Sequence, residues 1–122
     1  MPYNAAELVG LPSGGPTSRD AVKAHLRITD DRDDVSIDGK VDAVNRAVRS
    51  WPVSTAAVDQ AEWPADIAEG ATMLAARLFR RRNSPAGVEQ FAGAPSPAYV
   101  MRNDPDVAML LKLGNHTPPQ VG

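Results

Sequence analysis

The stretch from Trp63 to Asn83, WPADIAEGATMLAARLFRRRN, constrains the fold of this chain more than any other. Pro64 suits a first helical position, because its fixed φ matches the first turn and its missing N–H would have had no partner there. Asp66 and Glu69 follow where the positive end of the helix dipole favours carboxylates. Ile67, Ala71, Leu74, Ala75 and Leu78 recur at the three-and-four spacing that lays an apolar stripe along one helix face. Met73, Ala76 and Phe79 widen it over well more than half the circumference. Arg77, Arg80, Arg81 and Arg82 close the helix at the negative end of its dipole. The pattern predicts a central helix of an all-α domain, with more apolar face than its own chain covers and the surplus offered to neighbours.

The rest of the chain is read around that helix. Prolines and glycines collect at residues 1–16, which predicts an N-terminal arm. Thr17 or Ser18 caps a short helix, SRDAVKAHLRI, in which Val22 and Leu26 share a face. His25 lies beside that face and reads as a packed side chain. Asp30, Asp31, Asp33 and Asp34 charge the start of a second helix. There Ile37, Val41, Val44, Val48 and Trp51 follow at four-three-four-three spacing, and Pro52 stops the helix. Ten residues then lead to the central helix, short enough for an antiparallel pair.

From Ser84 to Arg102 the helical period dissolves, which predicts a long irregular loop or a loose hairpin carrying Val88, Phe91, Tyr99, Val100 and Met101. Asn103 or Asp104 caps a last helix, with Pro105 near its start, Val107, Leu110 and Leu111 on its buried face, and Gly114 at its end. The expected architecture is a compact bundle of about four helices spanning 17–114. It lies between flexible arms, 1–16 and 115–122.

Composition narrows the function. With 122 residues this is one domain, and a net charge of −2 is not that of a general nucleic-acid binder. Without cysteine, thiolate catalysis, disulfides and Cys-ligated zinc are excluded. No apolar run is long enough to span a bilayer, and no signal peptide is evident. The two histidines stand far apart, and no nucleophile elbow or phosphate loop is present, so no catalysis and no cofactor are expected.

Two binding readings were weighed against that. Asp34, Ser36, Asp38, Gly39, Asp42 and Asn45 fall on calcium-loop positions, but Asn45 cannot give the bidentate carboxylate of the twelfth, and the same residues carry a helix stripe. The arginines from Arg77 to Arg82 suit the helix dipole, an acidic patch on another subunit, or phosphate.

The segments VKAHLRITDDRDDVSIDGKVDAVNRAV, GATMLAARLFRRRNSPAGVEQF and YVMRNDPDVAMLLKLG occur in the order seen in the head-to-tail adaptor (head–tail connector) proteins of long-tailed bacteriophages. The chain resembles that family over roughly residues 20 to 114, and most of all its actinobacteriophage members. The resemblance implies a structural virion protein at the head–tail junction, made in the host cytoplasm. It implies a homo-oligomeric ring, dodecameric by that likeness, below the portal protein, with a platform for a stopper or tail-completion protein. DNA would pass through the channel without sequence-specific binding, and no membrane is involved. A stopper or terminator of similar build is the nearest alternative, and a calcium-binding helical module a more distant one. Subunit or portal contacts are expected from Arg80, Arg81, Arg82, Phe91, Tyr99 and Met101.

Overall fold

Ser18 sets where the first helix begins. In the computed structural model, which describes residues 10–81 and 95–114, its hydroxyl accepts a hydrogen bond from the Ala21 N–H at 3.1 Å. Helix α1 runs Arg19–Leu26 and ends in a tight reversal. Arg27 is left-handed at φ 59, and the Ile28 N–H reaches back to the Lys23 carbonyl at 2.9 Å. Helix α2, Asp34–Ser50, buries Ile37, Val44, Ala47 and Val48 along the stripe expected from the sequence. Pro52 ends it and opens a 3₁₀ turn, Pro52–Ala57, whose Ser54 hydroxyl donates to the Trp51 carbonyl at 2.9 Å.

Helix α3, Ala65–Arg81, is the centre of the molecule. Helices α1 and α2 pack on it from one side, and α5, Pro105–Leu110, from another, with α4, Pro97–Asn103, stacked on α5. Every regular element among the described residues is helical, as expected, although they comprise five α-helices and a 3₁₀ turn rather than about four helices.

The expectation of surplus apolar surface on α3 does not hold. Ile67, Ala71, Leu74, Ala75, Ala76, Leu78 and Phe79 are all buried within their own chain, and Met73 is partly so. A helix apolar around most of its circumference is explained by neighbours on two sides. Gly70 permits the closest of these approaches, since a Cβ there would stand 3.0 Å from Leu110 and Leu111 side-chain atoms.

Two further expectations change. The segment read as irregular contains α4. Ser96 accepts from the Tyr99 N–H at 3.2 Å and Pro97 takes the first helical position, a start signal that the surrounding prolines obscured. Residues 10–16, read as part of an arm, lie against the helices: Pro12 and Pro16 are buried, and the Gly10 carbonyl accepts from the Asp59 N–H at 2.8 Å.

Asn45 fastens this segment. Its Oδ1 accepts from the Thr17 N–H and its Nδ2 donates to the Thr17 carbonyl, both at 3.0 Å, while the Thr17 hydroxyl meets that of Thr72 at 2.7 Å inside the protein. Asn45→Ala strips both partners from a part-buried backbone and is expected to cost about 1–3 kcal/mol, read from the urea midpoint.

Candidate protein interface and the arginine cluster

The C-terminal half of α3 carries arginines at two different angles around the helix. Arg77 and Arg81 are one turn apart and face the corner where α4 meets α5, whereas Arg80 is exposed. At that corner stands Asp104, whose side chain is only 1% exposed. It was expected as a cap for the last helix, yet its carboxylate makes no capping bond. It accepts instead from Arg77 Nη1 at 3.1 Å and from Arg81 Nη1 and Nη2 at 2.8 and 2.6 Å. Asp106 takes the other side of Arg77 through two bonds of 2.6 Å. The Tyr99 hydroxyl accepts from Arg81 at 3.2 Å, and the guanidinium lies 5.9 Å from that ring's centroid.

The pairing shows in the acid–base chemistry. The bidentate Arg77 bond holds the Asp106 carboxyl down at about 2 despite some desolvation, and the same bond raises Arg77. Arg81 is raised by its bonds to Asp104. A carboxyl whose folded value lies below its unfolded value of 3.8 gives stability that is complete above pH ~4 and is lost as pH falls towards 2. Asp106→Asn is therefore expected to flatten the acid limb of a plot of urea midpoint against pH between about 4 and 2, and to leave its neutral limb parallel to wild type.

Of the six residues expected at interfaces, the structure brings Arg81 and Tyr99 together inside the chain. Arg80 and Met101 lie on the surface, with Met101 40% exposed. Arg82 and Phe91 lie outside the described residues. Sequence reading missed Arg77, Asp104 and Asp106 as a unit. The available signal was an i, i+4 arginine pair followed by an acidic corner, Asn103-Asp104-Pro105-Asp106. His25, expected to be packed, is exposed on α1.

The alternative binding readings lose their geometry. Residues 34–45 form the first turns of α2, so they cannot wrap a calcium ion as a loop. Their carboxylates are engaged: Asp34 with Lys23 at 2.8 Å, Asp38 with Arg19, and Asp42 with Arg46 at 3.3 Å. The arginine run is no phosphate-binding stripe either, since Arg77 and Arg81 are neutralised from within.

A helical body with its strongest charges internally paired is built for packing against other proteins. Comparison with protein families supplies the class. The family model described as phage gp6-like head–tail connector protein matches residues 19–94. The chain belongs to that family. The matched part of the connector covers α1, α2 and α3, and ends before the α4–α5 corner that Arg77 and Arg81 hold. Comparisons with curated proteins and with solved structures return no match. Membership makes this a structural protein of the phage neck. Among the described residues no helix is long and apolar enough to cross a membrane.

Proposed function

We propose that the chain is the head-to-tail adaptor of its phage, forming a ring below the portal that extends the DNA channel and carries the stopper or tail-completion protein. The family match across the whole three-helix body is the observation that carries this reading. The charge distribution suits a conduit. A channel that gripped phosphates through many free arginines would hold DNA in a salt-sensitive way. Here net charge is −2 and two of the arginines that end α3 are spent on Asp104 and Asp106. Nothing in the fold calls for a bound cofactor or a chemical step, and the work of such a protein is done by complementary surfaces.

Mass measurement in solution tests the assignment, first on the protein alone and then with rings of its own portal. A monomer or weak oligomer alone and a stoichiometric complex with the portal, formed without any other neck protein, is the expected result. If the complex requires a second neck protein to be present first, the chain sits one layer further down. Failure to join the neck in either setting removes the assignment.

A further inference from the structure

Three large apolar side chains stand well exposed among the described residues: Val35 at 86%, Met101 at 40% and Met109 at 50%. They are not scattered at random around the molecule. Val35 lies on α2 opposite the stripe that Ile37, Val44 and Val48 press onto α3. Met101 and Met109 belong to α4 and α5, the pair packed on a different side of α3. The central helix thus separates two flanks, each with its own uncovered apolar group.

A second observation marks the α2 flank. One turn after Val35 comes Gly39, exposed, with open space where a Cβ would be. Nothing in its own chain needs a glycine there, although glycine inside a helix costs about 1 kcal/mol relative to alanine. Val35 and Gly39 together form a knob beside a notch on the outer surface of α2. Methionine, unbranched and deformable, is the side chain best able to fill such a notch.

Charge gives the direction of pairing. At the start of α2, Asp31, Asp33, Asp34 and Asp38 outnumber the Arg19 and Lys23 that reach them. On the methionine flank Arg80 and Arg102 are exposed, and the local aspartates are already committed to Arg77 and Arg81. An acidic flank with a notch and a basic flank with methionine knobs are complementary to each other and not to themselves. That is the requirement for a heterologous, head-to-tail contact, which closes into a ring when the rotation per copy allows.

We infer that the Val35–Gly39 face of α2 in one copy receives the Met101–Met109 face of α4–α5 in the next. The inference rests on the ring proposed above and names its two lateral surfaces. Because the chain has no cysteine, single thiols can be placed at will. Val35→Cys and Met109→Cys, separately and combined, are treated with a short bismaleimide, both in concentrated solution and on portal rings. Both positions are exposed, so thermal midpoints should match wild type.

The combined variant should give a ladder of cross-linked multimers. A one-to-one mixture of the two single variants should stop at dimers, and each single variant alone should stay monomeric. Cross-linking of either single variant to itself shows a two-fold contact and overturns the inference, as does absence of a ladder in both settings. Portal binding of the wild type is scored separately. If binding is intact with no ladder, the faces are wrong and the adaptor reading stands. A ladder without portal binding has the opposite meaning.

Discussion

Replacing Asp104 by alanine is expected to lower the unfolding free energy by about 3–5 kcal/mol, the range for breaking a buried ion pair by removing one partner. The carboxylate is 1% exposed and takes three charge-assisted bonds of 2.6 to 3.1 Å from two arginines. Without it, Arg77 keeps Asp106, but Arg81 keeps only the Tyr99 hydroxyl, and two cations face one another across a cavity. Their side chains are 32% and 29% exposed, so water relieves part of the loss, and the lower end of the range applies. The urea midpoint at unchanged slope is the measurement. Asp104→Asn keeps the volume and one acceptor oxygen, and should lose less. An alanine variant as stable as wild type would show that the corner is held by its apolar contacts alone.

Leu74→Ala is the second large effect, about 2–5 kcal/mol through lost burial and the cavity left behind. Leu74 is fully covered in the middle of α3, within one continuous core that draws on every helix. Met109→Ala, at a position half exposed, is expected within about 0.5 kcal/mol of wild type. The contrast measures directly how completely the chain wraps its central helix. A small loss at Leu74 would restore the surplus apolar face that the sequence suggests.

The contrast also shows what could be read from the sequence. The stripes of α2 and α3, the Ser18 cap and the Pro52 stop are local: each follows from residues within one or two turns, and each stands where expected. What could not be read depends on which elements meet. Width of an apolar face reports how many neighbours a helix has, not whose chain they belong to, so α3 looked incompletely covered until α5 was seen on its far side. Asp104 before Pro105 carries a capping signal, and only the nearness of α3 diverts its carboxylate to Arg77 and Arg81. Helix α4 has seven residues and buries just Tyr99 and Val100, too few for a period to emerge. Of the interface residues, Met101 was legible as an apolar residue without a helical partner. Val35 and Met109 were not, because exposure is set by packing that no local pattern states.

The placement of the two tryptophans has a practical consequence. Trp51 closes α2, and Trp63 precedes α3 with its indole N–H donating to the Gly14 carbonyl at 3.3 Å, so both chromophores sit where α2 gives way to α3. The arginine cluster lies at the other extremity of α3, roughly 25 Å away along a helix of 17 residues. Intrinsic emission is thus a gauge of one pole of the molecule, while circular dichroism averages over all of it. Should the α4–α5 corner melt before the remainder, the dichroic signal will fall while the indole spectrum stays native, and that gap between the two curves reads the opposite pole without any added label.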